Sequence, residues 1–300
     1  MWDFPYDSPK AIQHLLDQRS LALSKKFGQN FLISSSAIDK MVSALSLEEG
    51  MSVWEVGPGI GALSSALLKK GVHLRAFEID WGFCSILQDL AFADEPNFTL
   101  IAGDVLKTWE KQYQEEGTPE VVCGNLPYNV GTVFIARILE KQLLSPTMLF
   151  TLQKEVAERL GASVGTKNWS TLSILGQSDY EITQLFNLKG GSFYPPPKVD
   201  STVLLFTKRE VPLIPPVLRN QFLKVCRDVF AQKRKTVRNN LLRGTVGSVL
   251  GKELTLSALA QAKVSESERS ENLGFTQLLN LTKSVQELYD LHASTQEPIR

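Results

Sequence analysis

Between Met51 and Leu152 the chain changes period repeatedly. Short apolar runs (MSVWEV, HLRAFEI, FTLIAG, EVVCGNL, TMLFTL) alternate with stretches of helical spacing such as ALSSALLKK, FCSILQDLAFA and VFIARILEK. A brief run without polar alternation suits a strand buried on both faces, and parallel neighbours need the helical crossovers that lie between. The pattern predicts an α/β fold with a mainly parallel, Rossmann-like sheet covered by helices on both sides. Two further runs, YEITQLFNL and STVLLFTK, are joined by the turn-rich KGGSFYPPPKVD, which is too short for a crossover. They predict an antiparallel pair at the sheet's edge. After Lys208 the proline-punctuated VPLIPP reads as a linker, and LRNQFLKVCRDVFAQ, TVRNNLLR, LSALAQA and FTQLLNLTKSVQELYDL predict a small all-helical domain. The expected boundary lies near Glu210, with residues 1–209 before it and 210–300 after.

Three hundred residues suffice for two domains with cores of their own, so stapled mini-protein scaffolds are excluded. No apolar run approaches the roughly 18 residues of a membrane span, and MWDFPYDSPK lacks the marks of a signal peptide. The cytoplasm is the expected compartment. Cys84, Cys123 and Cys226 are odd in number and far apart, and read as small buried hydrophobes. His14, His73 and His292 are scattered and offer neither a triad nor a metal cage. The formal net charge is zero, yet the signs are segregated. From Ala44 to Val122, 13 acidic residues face 5 basic ones; from Thr207 to Arg243, 10 basic residues face 2 acidic ones. Such a dipolar chain can set its basic end on a polyanion.

Three motifs carry candidate chemistry. In EVGPGIGALS, Gly57, Gly59 and Gly61 follow a strand and open a helix, where the backbone can approach a ligand closely. By spacing, Gly57, Gly59 and Ala62 satisfy a dinucleotide fingerprint, and Glu78, 21 residues beyond Gly57, is placed to bind ribose hydroxyls. Pro58 removes an amide that a pyrophosphate would want, and Glu55 brings negative charge to the turn. A cationic ligand without phosphate, such as S-adenosylmethionine, suits the turn better than NAD. Asp104, at the end of the third strand, reads equally as an acceptor for an adenine amine or as a helix N-cap. In NLPYN, the Asn125 side-chain oxygen and a neighbouring carbonyl can accept both protons of an exocyclic amine while Tyr128 stacks on its base. Held pyramidal in this way, an otherwise delocalised nitrogen regains a lone pair for in-line attack on a sulfonium methyl, without a strong base.

The ordered set KKFGQNFL, EVGPGIGALS, FEID, GDVLK, NLPYN, QKEVAERL, FYPPPKVDS and FAQKRKTVRNNL resembles the KsgA family of ribosomal RNA adenine dimethyltransferases over nearly the whole chain. The resemblance implies a class I methyltransferase sheet with a helical RNA-binding domain behind it. It further implies S-adenosylmethionine as donor and dimethylation of two adjacent adenines near the 3′ end of 16S rRNA in the assembling small subunit. By motif position, cofactor contacts fall on Asn30, Leu32, Gly57, Glu78, Asp104 and Asn125. The target adenine would meet Asn125, Leu126 and Tyr128, with Phe193 as a second stacking face. An N-terminal arm and lid would span residues 1–32, with Phe27 and Phe31 closing over the cofactor. Lys25 and Lys26 in the lid, and Lys233, Arg234, Lys235 and Arg238 in the densest basic run, would contact phosphates. No metal and no membrane are implied, and a monomer is expected.

Two relatives of different activity share part of this pattern. Erm-type enzymes that methylate 23S rRNA carry QNFL and N-[IL]-P-Y motifs, but PPPKVDS and FAQKRKTVRNNL look like KsgA. Mitochondrial transcription factors of the same ancestry act chiefly as binding proteins, and the intact EVGPGIG and NLPY motifs argue against lost catalysis. The roughly two dozen residues ahead of KKFGQNFL have no assigned role beyond a helix expected in AIQHLLDQ.

Overall fold

A computed structural model describes residues 2–23, 29–127 and 130–296. Nine strands are present among them: β1 (Phe31–Leu32), β2 (Ser52–Val56), β3 (His73–Glu78), β4 (Phe98–Ala102), β5 (Val121–Asn125), β6 (Thr147–Gln153), β7 (Tyr180–Leu188), β8 (Phe193–Tyr194) and β9 (Ser201–Lys208). Seven of them form one sheet in the order β4-β3-β2-β5-β6-β9-β7, and β1 pairs with β8 in a separate two-stranded ribbon. Every pairing from β4 to β6 is parallel. β9 runs antiparallel to β6, from Thr147 opposite Thr207 to Gln153 opposite Ser201, and β7 lies outside it. This is the mainly parallel sheet with a reversed edge that the apolar runs predict.

The strand order follows from the crossovers. β3 and β4 extend the sheet to one side of β2, whereas β5 and β6 extend it to the other, so helices cover both faces. Burial agrees: β2, β5 and β6 are buried almost end to end, while β7 at the edge is largely open. Between β2 and β5 the backbones approach very closely at Gly124, where a Cβ would lie 2.3 Å from the Val56 carbonyl oxygen. Only glycine fits there, and the approach sets the end of β5 against the turn that follows β2.

By compactness the chain divides into two units. The first holds residues 1–157 and 181–208, and the second holds 158–180 and 209–300. Where the sequence suggests a single crossing near Glu210, residues 158–180 already belong with the later helices. Their side chains explain it: Trp169 stacks edge-on against Phe275 at 5.9 Å and donates to the Leu273 carbonyl at 2.9 Å. Asp179 forms a buried ion pair with Arg219 at 2.7 Å. Around them the helices Arg219–Val229, Val237–Arg243, Thr245–Gln261 and Phe275–Gln296 bury Phe222, Val225, Leu241, Leu259, Leu278 and Leu281. All three cysteines are buried. No helix among the described residues is long and apolar enough to cross a membrane.

Candidate active site

An open α/β sheet leaves a crevice at the carboxyl ends of its strands where the strand order reverses, here between β2 and β5. The first unit has its cleft there, with a volume of about 970 Å³, mouth included. β2 delivers Glu55 to its floor, and the glycine turn follows. Gly59 and Gly61 both have positive φ, +60° and +93°. A Cβ on Gly59 would lie 3.0 Å from the Phe31 ring, and one on Gly61 would lie 2.9 Å from the Phe92 ring. The turn is thus glycine-rich both for its backbone angles and for the aromatic rings packed over it.

Glu78 ends β3 and braces that turn. Its Oε2 accepts from the Gly59 amide at 3.1 Å and its Oε1 from the Asp80 amide at 2.9 Å. Burial pushes its carboxyl up to about 7, against the pull of these two donors. Glu55 is only 1% exposed and accepts from the Ser64 hydroxyl at 2.6 Å. Burial pushes it up to about 8, the Ser64 hydrogen bond opposes that shift, and the charge of Glu78 adds to it. Asp104 lines the same cleft while its Oδ1 accepts from the Leu106 amide at 3.0 Å, capping the helix Val105–Glu116. Capping and cleft-lining therefore coexist in one side chain.

At the end of β5, Asn125 donates through Nδ2 to the Asn30 carbonyl at 2.8 Å. An amide held by its nitrogen keeps its oxygen as an acceptor. Leu126 and Pro127 continue the cleft wall; Tyr128 lies outside the described residues. Across from them, Asn30, Phe31 and Leu32 line the cleft too, with Phe31 set edge-on to Phe83 at 5.3 Å. Lys25, Lys26 and Phe27 also lie outside the described residues.

The six expected cofactor contacts, Asn30, Leu32, Gly57, Glu78, Asp104 and Asn125, thus meet in one cleft together with Leu126. Phe193 does not join them. It is 3% exposed, pairs with Leu32 across the β1–β8 ribbon and packs in the core with Met41 and Val42. The basic run belongs to the second unit. Lys233, Arg234 and Lys235 are exposed there, while Arg238 is paired with Glu266 at 3.1 Å.

Sequence reasoning missed two supports. Ser64 sits one turn into the helix after the glycines and holds Glu55. Asp80 caps the helix Trp81–Ile86 through the Gly82 amide at 2.9 Å and accepts from Gln29 Nε2 at 2.9 Å, tying the segment before β1 to the β3 end. An Asp just before a helical run was a readable cap signal; its hold on a residue 51 positions away was not.

The donor set tests the ligand directly. Three carboxylates line the cleft, and among the described residues no lysine or arginine does. A pyrophosphate finds no counter-charge, whereas a nucleoside bearing ammonium and sulfonium groups finds three acidic groups that its charge favours in their ionised form. The residues fit S-adenosylmethionine.

Comparison with known proteins agrees. The model of one family, ribosomal RNA adenine dimethylase, matches residues 21–287. The chain belongs to that family. Ribosomal RNA small subunit methyltransferase A of Treponema denticola is 41% identical over 281 residues, covering 92% of this chain and 94% of that protein. The protein of the same name from Pseudomonas aeruginosa is 37% identical over 264 residues, covering 88% and 95%. In fold, this rRNA adenine dimethylase matches a dimethyladenosine transferase from Plasmodium falciparum with a TM-score of 0.73 at 24% identity, over 85% of this chain and 97% of that one. It also matches the 23S rRNA methyltransferase ErmE with a TM-score of 0.64 at 23% identity, over 86% and 100%. The dimethylase is an enzyme that takes its methyl groups from S-adenosylmethionine and acts on ribosomal RNA.

Proposed function

We propose that the protein dimethylates the exocyclic amines of two adjacent adenines near the 3′ end of 16S rRNA in the assembling small subunit, as a monomer in the cytoplasm. The observation that carries this reading is the anchored Asn125 amide, whose nitrogen is taken by Asn30 and whose oxygen is kept for a donor at the mouth of an acid-rich cleft. The choice of subunit rests on the relatives named for the small subunit.

In this mechanism the Asn125 oxygen and the Leu126 carbonyl accept the two N6 protons of the adenine, and Tyr128 stacks on its ring. Bound S-adenosylmethionine supplies an electrophilic methyl group. With the lone pair that the two acceptors localise, the nitrogen would attack that carbon in line as the methyl–sulfur bond breaks and its electron pair returns to sulfur, leaving S-adenosylhomocysteine, and the methylated nitrogen would then release one proton to solvent. Repetition on the same nitrogen exchanges its second proton. Glu78 accepts from the ribose hydroxyls, Asp104 from the adenine amine of the cofactor, and Gly57 lets the backbone approach it closely. Asn30 and Leu32 close the opposite wall. Phe193 serves by pinning Leu32 in the β1–β8 ribbon. Lys25, Lys26, Lys233, Arg234, Lys235 and Arg238 meet phosphates, with Arg238 exchanging Glu266 for RNA.

Mapping methylated adenines in rRNA from cells with and without the gene tests the assignment. Two adjacent dimethyladenines near the 3′ end of 16S rRNA should disappear with the gene. Loss of an adenine methyl in 23S rRNA instead would establish the Erm-type activity.

A further inference from the structure

The motif FAQKRKTVRNNL contributes its cations to the mechanism above and leaves its second asparagine without a part. Asn240 is 2% exposed, whereas its neighbour Asn239 is exposed. It stands in the helix Val237–Arg243, and residues 230–236, which carry the basic run, join that helix to Arg219–Val229. Three carbonyls mark the start, the middle and the end of this loop, and Asn240 donates to all three. Its Nδ2 reaches the Val229 carbonyl at 2.7 Å and the Gln232 carbonyl at 3.1 Å, and its backbone amide reaches the Thr236 carbonyl at 3.0 Å. Val229 ends its helix, where carbonyls lack an intrahelical partner. Gln232 opens a turn that the Lys235 amide closes at 3.0 Å, with Lys233 and Arg234 at its two corners. A side-chain amide carries two hydrogens on one nitrogen and serves two carbonyls at once, which an aspartate of the same shape cannot do.

The loop is held from its other side as well. The Arg269 guanidinium donates to the Arg234 carbonyl, Thr236 forms a bridge with Arg269, and the Val237 amide donates to the Glu268 carbonyl at 2.9 Å. The backbone of the run is therefore fixed while Lys233, Arg234 and Lys235 stay exposed. Three adjacent cations repel one another, and in a free loop they would spread over many conformations that RNA must first restrict. Asn240 removes much of that freedom before RNA arrives.

We propose that Asn240 is a positioning residue for RNA binding, holding the loop in the shape that meets phosphate without touching RNA itself. The proposal rests on the reading that Lys233, Arg234 and Lys235 contact RNA. Affinity then depends on Asn240 and the number of contacts does not. Without it the same cations neutralise the same phosphates, but the loop must be ordered in the same step.

The test compares the full-length wild type, Asn240→Ala, Thr236→Ala and a chain with two glycines inserted between Arg234 and Lys235, by filter binding to undermethylated small ribosomal subunits over a salt series. Limited trypsin cleavage within QKRK reports the order of the loop. Asn240→Ala should be cut faster and bind about tenfold more weakly, the scale of fixing one further residue's backbone, with an unchanged slope of log affinity against log salt. The glycine insertion keeps Asn240 and every charge and should behave in the same way, and it carries the test should Asn240→Ala not fold. Thr236→Ala removes the helix cap on the Asn239 amide at 3.3 Å and leaves the three carbonyls bound, so it should melt lower yet keep wild-type affinity. Wild-type affinity in either loop variant would overturn the proposal. So would a flattened slope in Asn240→Ala, which would place its effect on the contacts themselves, or an equal loss of affinity in Thr236→Ala, which would mark helix stability as the cause. An unchanged slope after replacing Lys233, Arg234 and Lys235 with alanine would instead overturn the reading that this run meets RNA.

Discussion

Glu55 and Glu78 are buried in the same cleft, with carboxyls pushed up to about 8 and about 7. Each therefore holds a proton in the free folded protein at a pH where the unfolded chain has released it. The stability this brings is fully present below the ordinary carboxylate range, and it is lost as pH rises through about 7 and then about 8. A cationic ligand favours the ionised forms, so its binding expels protons. We expect the affinity for S-adenosylmethionine to increase from pH 6 to pH 8 while the ligand-free melting temperature falls over the same range. Titrations in buffers of different ionisation enthalpy, with a melting series at each pH, check both slopes; a flat affinity profile would show the acids already ionised in the free cleft. Asn125 belongs to this scale too. Asn125→Ala leaves one amine proton without its acceptor, and single-turnover methyl transfer at saturating cofactor should slow at least about a hundredfold, as when one preorganised hydrogen-bonding partner of a transition state is removed.

At the level of elements, the site depends on β2 and β5 ending side by side. Gly124 permits this, and Gly124→Ala sets a methyl 2.3 Å from the Val56 carbonyl oxygen, an obstacle of backbone that cannot rotate away. The strands must spread, at a cost of about 3 kcal/mol or more in urea melts, and Asn125 must leave Asn30. Much of this region was legible in advance. The unbroken apolar runs announce buried parallel strands, and EVGPGIG and NLPYN announce loops at their carboxyl ends, because glycine and proline punctuate structure locally. What joins the pieces was not legible. Asn125 meets Asn30 across 95 residues and Gln29 meets Asp80 across 51, and no local spacing encodes such pairs. Phe193 shows the same limit. No local spacing announces its two-residue pairing with β1, where it stands opposite Leu32.

The molecule as a whole separates its charges: the acids gather around a cleft for a cation, and Lys233, Arg234 and Lys235 stand exposed in the helical unit. Their contacts with RNA should be made to phosphate. Replacing all three with alanine should flatten the slope of log affinity against log salt by about 3, close to one per released counterion, and leave cofactor affinity unchanged. An unchanged slope in filter-binding measurements would assign the run to solvent. The sequence shows the charge asymmetry plainly, but it hides which core residues 158–180 join, since apolar spacing specifies a helix and not its neighbours.

That excursion has a bearing on how such a protein can be taken apart or rebuilt. A chain stopped at residue 209 retains 158–180 but lacks Phe275, the Leu273 carbonyl and Arg219, so Trp169 and Asp179 are left without the groups that bury and neutralise them. A chain begun at residue 210 has the complementary gap. Neither unit can be excised with one cut, and a helical domain from another source cannot be grafted by end-to-end fusion unless the segment 158–180 is exchanged with it.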